Sequence, residues 1–322
     1  MVIDLLNLEP TKISRSLGSK YTLIYGQPKV GKTTFAASAS DNLILSFEKG
    51  LNFISGVYSV DIQRWSDFKL VLQQLRKPEV QEKYKTVTID TYSIATELCE
   101  EHICNLAGVT SIDEFEWGKG YSRAKQEMDK CLRTITQLGY GLIIIAHAKT
   151  EGTDSKDKNA VERAVPDIPQ RYQSLIYKLV DIIAYVDVQY DEKDNAVRRL
   201  ITKGSPRVMA GTRIKYLPPV IDFSFKSLED AVAEAIEKES QEQSDSVVDN
   251  YIPPTIQHTN FEQLQEESKE LWMKLSADEK KMATLQDKIS DIFGKPTRLS
   301  TITEKEADLL ELVVEEMKQL AN

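Results

Sequence analysis

The chain has 322 residues, more than one average domain needs, so one large domain plus a smaller one is the starting expectation. Hydrophobic residues at 41 % and charged residues at 28 % exclude a disordered chain, and no unbroken apolar run approaches the roughly 18 residues of a membrane helix. The net charge of −9 belongs to the tail: residues 226–322 hold 22 acids and 11 bases, a net of −11, leaving 28 acids and 30 bases, a net of +2, to residues 1–225.

The opening stretch MVIDLLNLEPTKISRS lacks a basic segment followed by a clean apolar core, so it does not read as a signal peptide. Short apolar runs then follow at 21–25, 43–47, 86–90, 142–146 and 182–190, and helical spacing fills 32–39, 66–77, 91–107 and 121–138. Continuous Val/Ile/Leu strands separated by helices predict a parallel sheet covered on both faces. Past residue 180 two strand-like runs flank Glu192-Lys193-Asp194-Asn195, which predicts a hairpin and an antiparallel edge. Residues 240–258, polar, acidic and with a Pro pair, read as a linker between a 1–239 α/β core and a 259–322 helical module. In that module Phe261, Leu264, Leu271 and Leu275 share one helical face. Ser276-Ala-Asp-Glu279 reads as a capping box opening a second helix that ends at Gly294, and Thr303-Glu-Lys-Glu306 opens a third. Three short helices make a small bundle or a docking surface. The cysteines Cys99, Cys104 and Cys131, an odd number without a CxxC pair, predict a reducing cytosol with neither a disulfide framework nor a zinc site.

The first strand runs into Gly26-Gln27-Pro28-Lys29-Val30-Gly31-Lys32-Thr33-Thr34, which satisfies GxxxxGK[ST] between a strand and a helix. Such a loop turns backbone N–H groups onto phosphates, reaches the terminal phosphates with its Lys and offers the Thr hydroxyl to Mg²⁺. A second metal ligand is expected at the end of a buried strand, where Thr86-Val-Thr-Ile-Asp90 supplies Asp90; the same Asp would also serve as an N-cap for the next helix. Glu48, after the second strand, stands on the crevice side and is the candidate to polarise a water; a solvated strand-end glutamate is the alternative. His147, closing Leu142-Ile-Ile-Ile-Ala, is placed to sense a γ-phosphate or to satisfy a neighbouring carbonyl.

P-loop, Glu after the second strand, Asp after the third and a polar residue after the fourth, in that order, resemble the RecA-like branch of P-loop ATPases. More narrowly, residues 15–225 look like the short phage-encoded ATP-binding single-strand annealing and recombination proteins. The resemblance implies ATP and Mg²⁺ as cofactors, Glu48 as the catalytic carboxylate and His147 as the link to a DNA-binding loop. It also implies self-assembly as a ring or filament, with Lys203 and Arg213 reaching a neighbouring subunit's nucleotide. The fourth strand ends in His where bacterial RecA has Gln, no long N-terminal oligomerisation domain is expected, and the tail differs. Annealing or an accessory role therefore fits better than strand exchange.

RecA-like folds bind single-stranded DNA through two loops, which match two segments here. Around Glu116-Trp117-Gly118-Lys119-Gly120-Tyr121-Ser122-Arg123, Trp117 and Tyr121 would stack bases while Lys119 and Arg123 meet phosphates; the aromatics would otherwise pack inside at a helix start. The stretch from Lys149 to Arg171, with Lys156, Lys158 and Arg163, reads as a long polar loop whose acids nearly cancel its bases. The expected function is a DNA-dependent ATPase in phage recombination or annealing, working in the host cytoplasm away from any membrane. Single-stranded DNA would be its partner, with a single-strand-binding or other replication protein at the C-terminal module. A helicase or helicase loader, a non-catalytic nucleotide switch and a P-loop kinase are the alternatives.

Overall fold

A computed structural model describes residues 13–51, 53–152, 161–243, 247–248 and 260–321. Among them the chain forms two compact units, 13–248 and 260–321.

The first unit opens with β1 (Ile13–Ser14), β2 (Tyr21–Gly26), α1 (Lys32–Ala37), β3 (Asn42–Ser46) and β4 (Tyr58–Asp61). It continues with α2 (Trp65–Gln74), α3 (Pro78–Lys83), β5 (Thr86–Asp90), α4 (Tyr92–Ala107), α5 (Lys119–Gln137) and β6 (Gly141–Glu151). Then come β7 (Arg163–Pro166), α6 (Gln170–Leu179), β8 (Ile182–Tyr190), β9 (Ala196–Ile201), β10 (Gly211–Thr212), β11 (Val220–Asp222), α7 (Phe225–Gln243) and β12 (Val247–Val248). The main sheet runs β4-β3-β5-β6-β2-β8-β9-β11: parallel from β4 to β8, antiparallel from there to β11. This is the α/β core with a parallel sheet and an antiparallel edge that the alternation of apolar runs and helices implies.

Both faces of the central parallel strands β3, β5 and β2 and of the first part of β6 are buried, and period-two alternation sorts the side chains. Leu23, Tyr25, Leu45, Ile89 and Ile144 face a core closed by Trp65, Phe68, Met128 and Tyr172, while Ile24, Ile143, Ile145 and Ala184 face Phe35, Leu228 and Val232. Tyr25 buries its ring and satisfies its hydroxyl by donating toward the carbonyls of Ala164 (3.0 Å) and Met209 (2.6 Å), whereas the buried Tyr92 hydroxyl of the same core has no partner among the described residues.

Several sequence expectations are corrected. The helix expected over 66–77 ends at Gln74, and a separate turn starts at Pro78, because a residue preceding proline is pushed out of the helical region. Strand β4 is new; all four of its residues are exposed, so no apolar run marks it. The loop expected from Lys149 to Arg171 is in part a ribbon, since β6 continues to Glu151 and pairs antiparallel with β7. Residues 240–243 of the expected linker close α7, and Val247–Val248 pair with β1 as a parallel strand; the rest of that linker lies outside the described residues.

The second unit holds α8 (Phe261–Leu275), α9 (Glu279–Phe293) and α10 (Ala307–Ala321) around Leu264, Leu275, Leu285, Val313, Val314 and Met317. Asp278, rather than Ser276, caps α9, accepting from the backbone of Lys280 and Lys281, while Ser276 ends α8. Gly294 stops α9 in the left-handed conformation, and Thr303 and Glu306 form the reciprocal box ahead of α10. A groove of about 1020 Å³ runs past Trp272, Met273 and Leu299, with Lys269, Asp287 and Arg298 on its sides. Among the described residues no helix is long and apolar enough to cross a membrane.

Candidate nucleotide site

Parallel strands in register bring their C-terminal ends to one edge. Gly26 pairs with His147, Asp90 with Ile145, and Ser46 with Asp90, so the ends of β2, β3, β5 and β6 stand side by side. The four residues singled out at those ends therefore meet although they are spread over a hundred positions of sequence.

The loop from Gly26 to Thr33 leads straight into α1. Gly26 allows a close approach: a Cβ there would lie 3.0 Å from that of Val186. Lys29 (φ 62°) and Gly31 (φ 101°) are left-handed, which turns the intervening amides into a concave row at the positive end of α1. The Lys32 side chain folds back into this concavity, 5 % exposed, its Nζ donating to the carbonyls of Gly26 and Gln27 at 2.9 Å each. Burial pulls the Lys32 pKa down, and the carboxylates of Asp90 and Glu48 pull it back up.

Thr33 donates its hydroxyl to Asp90 Oδ2 at 2.6 Å. Asp90 is buried, which pushes its pKa up; the bond from Thr33 works the other way, Glu48 adds to the rise, and Lys32 and His147 oppose it. A hydroxyl and a buried carboxylate, both hard oxygen donors at the mouth of a phosphate loop, fit Mg²⁺, which takes few protein ligands and completes its shell with phosphate oxygens and water. The ion would also relieve the cost of a buried carboxylate.

Glu48 leaves the end of β3, where the backbone N–H groups of Phe47 and Glu48 both donate to the Asp90 carbonyl (2.7 and 3.3 Å). Its Oε1 accepts from the Thr91 hydroxyl at 2.8 Å and stands 3.2 Å from His147 Nε2. The other ring nitrogen, Nδ1, is buried with no hydrogen-bond partner among the described residues. Glu48 and His147 side chains are 40 % and 30 % exposed, open enough to meet a water or a ligand. The arrangement combines an anion cradle, a cation seat and a carboxylate held by two donors.

The remaining candidates fall into three groups. Trp117 is 94 % exposed at φ 57°, in the turn that opens α5, and Lys119 and Arg123 stand on the first turns of that helix, Arg123 at 5.6 Å from the Phe115 ring. Tyr121 and Arg171 are engaged with each other: the guanidinium lies 4.1 Å over the Tyr121 ring and pairs with Glu100 at 2.8 Å, and the Tyr121 hydroxyl donates to Asp113. Lys149 and Arg163 sit on the β6–β7 ribbon, directly beyond His147, with Lys149 beside Glu151 and Asp167; Lys156 and Lys158 lie outside the described residues. Lys203 is exposed past β9. Arg213 stands at the N-terminal end of β8, the edge away from the P-loop, bonded to Asp181 (3.0 Å) and the Lys178 carbonyl. The cation that does reach this chain's P-loop is Arg198, whose Nη1 donates to the Val30 carbonyl at 3.1 Å. Sequence reading passed over it, although a strand paired with β8 at period two puts Arg198 on the face of the buried Leu200.

This strand order, with the P-loop strand between β6 and β8, Asp90 ending β5 and Glu48 just past β3, defines an α/β P-loop protein. A family model described as AAA domain matches residues 19–214, and the chain belongs to that family. A relative, "SPbeta prophage-derived uncharacterized protein YorG" of Bacillus subtilis (strain 168), is 26 % identical, with 99 % of each chain covered. Among solved structures, the KaiC-like protein PH0186 of Pyrococcus horikoshii OT3 aligns with 64 % of this chain and 86 % of its own at 11 % identity and a TM-score of 0.35. The RadB recombinase aligns with 66 % of this chain and 90 % of its own at 14 % identity and a TM-score of 0.34.

Proposed function

We propose that the protein is a Mg²⁺- and ATP-dependent ATPase that binds single-stranded DNA and assembles on it with nucleotide between subunits. It serves phage recombination by single-strand annealing in the host cytoplasm. The observation that carries the reading is the convergence on one sheet edge of the Lys32 ammonium, the Thr33–Asp90 pair and the Glu48–His147–Thr91 cluster. Bound Mg²⁺ supplies charge neutralisation at the phosphates.

In the proposed mechanism the loop amides and Lys32 hold the phosphate chain. Thr33 and Asp90 would hold Mg²⁺ at its terminal end, and Glu48 takes a proton from the attacking water as that water bonds to the γ-phosphorus and the β–γ bridging P–O bond breaks, with ADP and phosphate as products. Glu48 works only when its Oε1 is not fully engaged by Thr91 and His147. His147 thereby joins turnover to the β6–β7 ribbon, which begins at the next residue.

The DNA reading is supported by Trp117, since a bulky exposed side chain on a left-handed backbone is strained and persists where the site uses it. Lys119, Arg123, Lys149 and Arg163 supply phosphate contacts in this proposal, and Lys203 and Arg213 serve a neighbouring subunit. The prophage origin of the Bacillus subtilis relative supports the phage setting. The groove at Trp272 supports docking of a single-strand-binding or other replication protein on the helical unit.

The test is ATP hydrolysis with and without single-stranded DNA at low and moderate salt. Stimulation that fades with salt is the expected result, because phosphate contacts release counterions. Equal rates with and without DNA overturn the DNA role, and an unchanged rate in Lys32→Ala overturns the site itself.

A further inference from the structure

Arg198 approaches the P-loop from β9, the strand paired with β8. In a trans peptide the carbonyl and the N–H point to opposite sides, and the Val30 carbonyl, opposite the Gly31 N–H, is the acceptor of Arg198 Nη1. The fit is close: a Cβ at Gly31 would lie 2.7 Å from that same Nη1 and 3.4 Å from the Phe223 ring. Gly31 therefore answers two demands, a left-handed φ and room for the guanidinium. The guanidinium stands 5.5 Å from the Phe223 ring centroid, and Phe223 stacks on Phe35 of α1 at 5.2 Å and 15°. Arg198, Phe223 and Phe35 thus tie β9, the turn after β11, and α1 together around the outer side of the loop.

The chemistry follows from which peptide group is held. The Val30 C=O and the Gly31 N–H belong to one amide, and donation to the oxygen polarises the amide and makes its N–H a stronger donor. The guanidinium also adds a fixed positive charge beside the N-terminus of α1. Lys29, a non-glycine residue held left-handed, gives the loop a costly turn that needs surrounding structure to hold it, while Gly31 adopts its left-handed φ freely.

We propose that Arg198 is a positioning residue of the nucleotide site that acts on its own subunit's P-loop, fixing the loop and strengthening the Gly31 N–H toward the phosphates of a nucleoside triphosphate. The inference rests on the reading of residues 26–33 as a triphosphate site. It assigns to β9 a cation in cis, in addition to the neighbour-reaching roles proposed for Lys203 and Arg213.

The experiment titrates the full chain, with Mg²⁺, against a fluorescent N-methylanthraniloyl ATP and measures steady-state hydrolysis for wild type, Arg198→Ala, Arg198→Lys and Lys32→Ala. Arg198→Ala is expected to weaken binding and raise KM about tenfold, as for loss of a charge-assisted hydrogen bond at a partly exposed site. Its kcat should change by less than about threefold, and its melting temperature without nucleotide should fall by no more than about 4 °C, so that the lost affinity is not loss of fold. Arg198→Lys restores part of the loss, having a donor but no planar fork. Equimolar Arg198→Ala and Lys32→Ala should show no recovery, because each needs its own loop intact. Recovery in the mixture assigns Arg198 to the neighbour's site and overturns the proposal. Wild-type affinity in Arg198→Ala, with binding lost in Lys32→Ala, overturns this inference and leaves the P-loop reading standing. Wild-type affinity in Lys32→Ala removes the P-loop reading, and this inference falls with it.

Discussion

The P-loop has two flanks, and they reach it by different means. On one side stand β6, β5 and β3, parallel and in register with the P-loop strand, so that the groups beside the loop lie near the level of Gly26: His147 paired with it on β6, the buried Asp90 ending β5, and Glu48 just past β3. On the other side β8 is followed by the antiparallel β9 and β11, and the residue that touches the loop, Arg198, comes from within a strand. A parallel flank delivers chemistry through strand ends aligned by register. An antiparallel flank delivers it through side chains along the strand, which depends on which residue pairs with which. The first flank carries the proposed hydrolytic groups, and the second shapes the loop.

The sharpest separation of the two comes from Glu48→Gln. The amide keeps the size and the acceptor for Thr91 but takes no proton, so turnover should fall by about 10²–10⁴ while affinity for the fluorescent nucleotide stays near wild type. Arg198→Ala should give the opposite split. If Glu48→Gln instead weakens nucleotide binding and leaves turnover intact, the hydrolytic flank is wrongly assigned.

Trp117→Ala comes next in size. Base stacking is worth about 1–3 kcal/mol per aromatic, so single-stranded DNA affinity should fall between roughly fivefold and a hundredfold. The melting temperature should not move, because the side chain is 94 % exposed. Arg171→Ala should behave differently: its guanidinium packs on Tyr121 and holds Glu100, so its removal lowers the melting temperature. Equal DNA affinity in Trp117→Ala and wild type removes this turn from the DNA face.

These contrasts also mark what the sequence makes legible. The P-loop is visible because its spacing is set by the covalent geometry of a loop wrapped round a phosphate, and Asp90 and Glu48 because a polar residue ending an apolar run is conspicuous. Where the signal depends on pairing, it vanishes. Strand β4 carries no apolar run, the β6–β7 ribbon looks like a polar loop, and Arg198 is one cation among several beyond the hairpin turn. Tyr121 and Arg171 were separate members of two expected loops, and only the packing of α5 beside α6 stacks one on the other. The capping choice between Ser276 and Asp278 follows from which side chain reaches the first free N–H groups, a matter of backbone geometry.

His147→Ala tests the junction of the hydrolytic flank with the ribbon. Removing the imidazole frees Glu48 Oε1 of one neighbour, so turnover without DNA should rise about two- to tenfold, the worth of one hydrogen bond. Stimulation by DNA should shrink by a similar factor. Unchanged basal turnover with full stimulation would mean that the ribbon and the carboxylate are independent.

The smallest effect, and the one that reads the electrostatics directly, is the melting temperature of Asp90→Asn without nucleotide or Mg²⁺. Burial raises the Asp90 pKa, so the folded state holds this proton more tightly than the unfolded chain does. The charged form therefore costs stability, a cost absent below the ordinary carboxylate range and growing as pH rises from there to the raised value. Asparagine removes the charge and still accepts from Thr33. At neutral pH the variant should melt about 2–4 °C above wild type, which is what roughly 1 kcal/mol does in a unit of this size, and the gap should close at acid pH. Adding Mg²⁺ and ATP should reverse the order, because under the proposed function wild type binds the cation through this carboxylate and the variant does not. A variant that melts below wild type without ligand at neutral pH would show that Asp90 is stabilised in the fold by its neighbours and has no need of a cation.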